Sequence, residues 1–418
     1  MMQPIVDWAP IVYSLGGVLY AIIFLIACYQ KPKLALLLVI ASAPFNYDIS
    51  AGGPFHFSLA EVNLILTALV FILRGRSIVM GPLAIPSAGY LGIGLLSSAL
   101  NWRATSLASL IQMVIYMILA VVIFTSLVSN ARDFRWALRG VLVSGFVLAC
   151  AVIVKRTGYV FDLHKNAVGT SLACCVIVAA ELWFSSTKAG SRNILSVILL
   201  VLVAGLFFTL SRGAWLGAAC GLFVLLAIRR EVRLLMRISV VMIPVIALCW
   251  IFLPEKGRTY ATDLSEDNWN IKMRFESIDL ARKYFQKDRL LGVGVGLRKE
   301  YDATNVVWLT LAETGVLGFG AFLCLHFALL RMVWRTQRHL HRKDPLFSAA
   351  ALGAALVTGK FVHGLVDHYW SRGALMITWA AAGMATHAYL VTRRRLLASR
   401  SLLATENAKR EDTLTQLA

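Results

Sequence analysis

Two stretches of this chain, Ile194 to Leu210 and Val240 to Leu253, are apolar on nearly every side of any helix drawn through them. An element of a soluble domain hides one face and shows water the other. Segments that are apolar all round, and long enough to cross about 30 Å of hydrocarbon, are spanning helices. Composition extends the point to the whole chain. With 59% hydrophobic and 15% charged residues in 418, the apolar side chains exceed what a soluble core of that length can hide. The surplus must face lipid, so the expected fold is an all-α polytopic membrane protein.

Thirteen candidate spans lie near residues 9–28, 33–46, 57–73, 83–100, 106–128, 137–154, 167–185, 194–210, 213–228, 238–253, 306–330, 346–365 and 373–391. The segment at 33–46 is short and carries Pro44, so it is either re-entrant or fused to its neighbour, which would leave twelve. Basic connections alternate strictly with the others: Lys31 and Lys33, Arg74 and Arg76, Arg132 to Arg139, Lys188 and Arg192, Arg229 to Arg237, Arg331 to Lys343, and Arg393 to Arg395. The positive-inside rule places them in the cytoplasm, with the N-terminus outside and the C-terminus inside.

The same clustering explains the net charge of +19 without nucleic acid, because the cations fall between apolar runs. Met1 to Pro10 has no positive n-region and Ala9 to Cys28 is long enough to span, so the first segment is expected to stay as a helix. All seven cysteines, Cys28, Cys150, Cys174, Cys175, Cys220, Cys249 and Cys324, lie in apolar segments and form no CxxC pair. They read as packing residues, with neither a disulfide framework nor a zinc site.

On the face opposite the basic loops only one connection is long. Pro254 to Asn305 is large enough to cover a cavity at membrane level, and long loops in compact proteins tend to be functional or disordered. Within it, Asn268 to Asp288 has helical spacing, with Ile271, Phe275, Ile278, Ala281 and Phe285 near one face, as in an interfacial or lid helix. The organisation expected is a transmembrane bundle over 1–253, the loop over 254–305, further membrane helices over 306–395 and a polar, fraying tail over 396–418.

Charges at a membrane edge are functional candidates because they are costly there. Arg212 stands in a two-residue break between apolar runs, beside Gly213 and Ala214. It is either a headgroup anchor or a fixed cation for an anionic ligand. Arg274 projects from the loop helix. The run Gly292-Val-Gly294-Val-Gly296 that follows permits close backbone approach but lacks the flanking strand of a nucleotide-binding fold. Lys155, Arg156, His164, Lys165 and Asn166 put cations on the disfavoured side. They are a chance excess or a pyrophosphate site, for which Arg offers a fork and Lys a point charge. Near the C-terminal end, His363 and Asp367 stand four apart, a spacing that would pair carboxylate and imidazole as in a general base or as in a plain helix-end bond. Zinc through His363, Asp367 and His368 lacks a further ligand pair of suitable spacing.

Taken together, Leu210-Ser-Arg-Gly-Ala214, the loop with Arg274, the Gly292 to Gly296 run and Asn305-Val-Val-Trp-Leu-Thr-Leu-Ala-Glu313-Thr-Gly315-Val-Leu-Gly318 resemble the O-antigen ligase (WaaL-like) and Wzy polymerase superfamily. These are bacterial inner-membrane glycosyltransferases with a GT-C-like fold. The resemblance implies metal-independent, inverting transfer of a glycan from an undecaprenyl-pyrophosphate carrier at the periplasmic face, with no cofactor. Ligases deliver it to lipid A-core and polymerases to another repeat unit. The resemblance further implies that Arg212 and Arg274 bind the donor pyrophosphate, aided by Lys165, His164 and Arg156. Glu313, Gly315, Asn305 and the three loop glycines would shape the groove. The family usually has His-Asn where this chain has Thr304-Asn305, which leaves the base to Asp302, Glu300 or the His363 and Asp367 pair.

Two other classes compete. A transporter of lipid-linked sugar would carry charges deep in paired, broken helices, whereas Glu61, Glu181 and Glu313 are scattered. A non-catalytic envelope scaffold would fit the missing histidine but would not need the arginines and glycines. Donor, acceptor and membrane lipid are the partners expected.

Overall fold

The structure is a computed structural model that describes residues 9–45, 56–128, 130–231, 233, 244, 247–253, 255–262, 269–301 and 303–417. It is 81% helix, and no strand occurs among the described residues. Eight described helices are long and apolar enough to cross a membrane. The chain is a polytopic membrane protein.

The helices run α1 (Ala9–Gln30), α2 (Pro32–Ser42, continued by a 3-10 turn at Ala43–Phe45), α3 (Leu59–Leu73), α4 (Ala84–Leu100), α5 (Ser106–Leu127), α6 (Ala131–Lys155), α7 (Lys165–Ser185), α8 (Ala189–Phe208) and α9 (Arg212–Arg229). They continue with α10 (Glu255–Thr262), α11 (Trp269–Lys287), α12 (Val306–Gln337), α13 (Pro345–Val366) and α14 (Arg372–Leu417). Half of the candidate span at 238–253 lies outside the described residues. The segment at 33–46 is a separate short apolar helix, divided from α1 at Lys31, with Pro44 in the 3-10 turn.

Burial separates the centre of the bundle from its rim. The apolar window of α7 is 83% buried within the protein and that of α8 only 28%. The centre is built from small residues: α9 packs on α13 through Gly213, Gly217 and Gly221 against Gly359 and His363. A Cβ added at Gly217 would lie 2.9 Å from the Gly359 carbonyl oxygen, so the two backbones nearly touch there. At the opposite end of these helices, the Arg229 Nε donates to Glu181 at 2.7 Å, and the guanidinium also reaches Ser348 and the Arg342 carbonyl. One buried ion pair thus joins α7, α9 and the start of α13.

Three expectations change. Residues 396–417 continue α14 as helix instead of fraying, because no proline interrupts α14 and its two glycines, Gly373 and Gly383, lie far upstream. The loop helix α11 is present, but its inward seam is Arg274, Ser277, Ile278 and Ala281, while Phe275 is 61% exposed. A residue lies about 100° round a helix from its neighbour, so a seam through 274 and 277 turns 275 away. The glycine run contacts protein: a Cβ at Gly292 would lie 2.5 Å from the Glu313 backbone, at Gly294 2.3 Å from the Asn101 oxygen, and at Gly296 2.4 Å from the Thr105 hydroxyl. All three have positive φ, so no side chain is tolerated on either ground.

Candidate functional site

The last turn of α13 gathers the site. Helix α13 ends at Val366, and Asp367 takes an extended conformation as its C-cap. A turn then leads to Arg372, the first residue of α14. Against this corner stand the first turn of α7, the α5 residue Gln112, and the 3-10 turn Leu297–Lys299. Together they enclose a cavity of about 350 Å³, lined among others by His164, Asn166, Thr170, Arg298, Lys299, His363, Asp367, His368, Trp370 and Arg372.

Its polarity follows from those elements. The N-termini of α7 and α14 both open on the cavity, and a helix N-terminus presents uncapped N–H groups and a partial positive charge. His164 caps α7, its Nδ1 accepting from the Asn166 N–H. Arg298, Lys299 and Arg372 add cations, and Asp367 is the lone carboxylate among the described lining residues.

Arg298 is the residue that reading the sequence missed. Its guanidinium lies over the Trp370 ring at 4.0 Å from the centroid, and Nη2 donates to the Ser109 carbonyl at 2.9 Å. The buried Nε and Nη1 find no hydrogen-bond partner. Glu313 stands 3.7 Å away as an ion pair. Burial pulls the Arg298 pKa below its ordinary value, and the Glu313 carboxylate opposes that. A buried cation with unused N–H groups at a cavity wall suits an anion. The available signal was the arginine two residues after the glycine run, which the basic residues elsewhere obscured.

Glu313 and the glycines hold Arg298 in place. The Glu313 Oε1 accepts from the Gly296 N–H at 2.8 Å. Ser97 and Ser98 accept from Gly294 and Val295 through their hydroxyls. Gly315 breaks α12 with φ 62° and ψ −167°, and the freed N–H groups of Val316 and Leu317 donate to the Arg289 and Leu290 carbonyls. Asn305 caps α12 and its Nδ2 donates to the Leu365 carbonyl at 2.8 Å, tying the loop's end to α13. These residues act on the site through the backbone they position.

His363 and Asp367 both line the cavity but bond other groups. The Asp367 Oδ1 accepts from the His368 N–H at 2.7 Å and Oδ2 from Arg274 at 3.3 Å. The i, i+4 pair is not formed because the helix ends before Asp367. His363 instead lies between Lys360 and Thr170. The Lys360 ammonium reaches the His368 carbonyl at 2.8 Å, the Ser371 hydroxyl at 2.6 Å and His363 Nδ1 at 3.3 Å. An ammonium donates and never accepts. Nδ1 therefore accepts, Nε2 keeps its hydrogen, and that hydrogen goes to the Thr170 hydroxyl at 2.9 Å. His363 presents a donor on this side.

Of the other candidates, Arg274 reaches the site through Asp367, and Arg212 opens α9, where a Cβ on its neighbour Gly213 would meet Asp367 at 3.3 Å. Arg156 and Lys165 do not line the cavity: Arg156 follows the end of α6 with φ 51°, and the Lys165 Cβ packs toward Gly158. Glu300 is paired with Arg103 at 2.6 Å. Asp302 lies outside the described residues, though Ala303 lines the cavity. Thr304 is buried, with its N–H on the Ser277 hydroxyl and its own hydroxyl without a partner. Among the described residues no group of three His, Cys, Asp or Glu could hold a metal ion.

Residues 194–323 match the family model of the O-antigen ligases. The matched stretch carries Arg212, Arg274, the glycine run, Arg298 and Glu313, while His164, Thr170, Lys360, His363 and Asp367 lie outside it. Comparison with curated proteins gave no match.

Proposed function

From the O-antigen ligase domain at 194–323, we propose that the chain is a bacterial inner-membrane glycosyltransferase of the O-antigen ligase type. It moves a glycan from an undecaprenyl-pyrophosphate carrier to lipid A-core at the periplasmic face, with the loop 254–305 periplasmic and the C-terminus cytoplasmic. The observation that carries the reading is the cavity itself. It joins Arg298 from the family domain to two helix N-termini and to a carboxylate.

In this reading the acceptor hydroxyl oxygen attacks the anomeric carbon, the bond from that carbon to the pyrophosphate oxygen breaks, and the hydroxyl proton passes to a carboxylate. Asp367 is the proton acceptor we favour, and Asp302 is the alternative. The undecaprenyl pyrophosphate leaves with one more negative charge. Arg298, Arg274 and Arg212 and the α7 and α14 N-termini stabilise that charge as it develops, which is the largest contribution such a site can make. His164, Lys165 and Arg156 would extend the cationic surface toward the lipid headgroups. The reaction is inverting and needs no metal, since fixed arginines do the neutralising.

The test is glycan transfer in liposomes with EDTA present, using undecaprenyl-pyrophosphate oligosaccharide and lipid A-core, for wild type, Arg212→Ala and Arg274→Ala. Transfer by wild type, lost in both folded variants, supports the reading. Chain growth from donor alone would instead make the protein a polymerase. Inertness with either acceptor would leave a transporter or scaffold.

A further inference from the structure

A second cavity lies far from the site, at the basic end of the bundle. Helices α6 and α8 touch at one level, where a Cβ on Gly205 would lie 2.7 Å from the Ala149 Cβ. From that point they splay, and the gap between them, backed by α7, is a groove of about 740 Å³. Val143, Val147, Ile194 and Ile198 form its apolar walls. Arg135, Arg139 and Lys188 stand at its open end with the hydroxyls of Ser186, Thr187 and Ser191, and among the described residues no carboxylate lines it. The nearby Asp133 is already held by Lys33 at 2.7 Å.

We infer that this groove seats one anionic glycerophospholipid, its phosphate among Arg135, Arg139 and Lys188 and one acyl chain along the apolar walls toward Ala149 and Gly205. Three observations converge. The charge is one-sided, as a phosphodiester requires. The α8 N-terminus opens there, and Lys188 at its N-cap makes no side-chain cap, so the first N–H groups reinforce the cations. The depth matches as well. Arg139 and Ala149 are ten residues apart, about 15 Å of helix, which is half the roughly 30 Å hydrocarbon core and so one leaflet. Trp136, exposed on α6, and Trp183, under Arg192 at 4.1 Å, flank the open end as residues at headgroup depth do.

The inference is independent of the proposed transfer reaction. It is tested by native mass spectrometry of protein released from nanodiscs made of equal parts phosphatidylcholine and phosphatidylglycerol. Wild type is expected to retain one phosphatidylglycerol in preference to phosphatidylcholine. Arg135→Gln, Arg139→Gln and Lys188→Gln change exposed side chains and leave the fold intact, and each is expected to cut that retention about fivefold. Ile198→Trp fills the wall with all charges present and is expected to abolish it, with the melting temperature in detergent confirming a folded protein. Equal retention of both lipids by wild type, or undiminished retention in the triple Gln variant, overturns the inference. Displacement of phosphatidylglycerol by a lower concentration of polyprenyl phosphate would also overturn it and give the groove to an isoprenoid.

Discussion

Arg298 lies over Trp370, its guanidinium carbon 4.0 Å from the ring centroid, and so a loop from the segment that matches the O-antigen ligase family model is joined to the turn between α13 and α14. The contact holds the guanidinium plane while Glu313 anchors the turn behind it. It places a buried cation from one part of the chain beside Asp367 and His363 from another.

Arg298→Ala is expected to lower kcat/KM for glycan transfer by about a hundredfold, the scale for losing one preorganised charge-stabilising donor. Arg298→Lys keeps the charge but loses the stacked fork and is expected to recover only part of it. Steady-state transfer assays, with a detergent melting curve for each variant, measure this. Near-wild-type transfer by a folded Arg298→Ala protein would remove the residue from the donor site.

Lys360 sets the tautomer of His363 by donating to Nδ1. In protein labelled with 15N-histidine, His363 is expected to appear as the Nε2–H form, and Lys360→Met is expected to give a mixture of tautomers with at least about tenfold slower transfer. An Nδ1–H spectrum in wild type would contradict the donor role.

Gly315→Ala should unfold the junction at the break in α12. The position has φ 62° and ψ −167°, and an added Cβ would stand 2.2 Å from the Leu290 carbonyl oxygen. The backbone term alone costs of order 1–3 kcal/mol, with the clash in addition. A fall in detergent melting temperature checks it, and an unchanged value would mean that α12 and the loop adjust freely.

Glu181→Ala strands the Arg229 guanidinium in the bundle and is expected to cost about 3–5 kcal/mol, whereas Glu181→Leu with Arg229→Met removes both charges and restores most of it. Denaturant titration in mixed micelles separates the two. Equal losses in single and double variants would show that shape, not charge, dominates at this end.

The sequence already showed the membrane character, because apolar runs without a polar face have one stable solvent. It showed Arg274 on a helix, and it marked Gly292, Gly294 and Gly296 as positions that permit close backbone approach, with Gly315 named only through the family resemblance. What those glycines approach was not legible: they meet Glu313, Asn101, Thr105 and Leu290, far apart in the chain. The His363 and Asp367 spacing suggested a pair, but spacing gives a shared face only while the helix lasts, and α13 stops one residue short. The tail beyond Ser399 looked frayed by polarity, yet helix propensity is a local property and carried α14 to Leu417.

By itself, then, the sequence determined where the helices span and which positions carry no side chain, since both follow from the chemistry of single residues and their neighbours. The tertiary structure alone decided which cations face the cavity. Arg156 and Arg298 are equally basic and both follow apolar helices or glycines, but only Arg298 is carried inward, on a turn fixed by Glu313 and Trp370 from other parts of the chain. A charge acquires a role from the distance and dielectric around it, and those are set by segments that the local sequence does not contain.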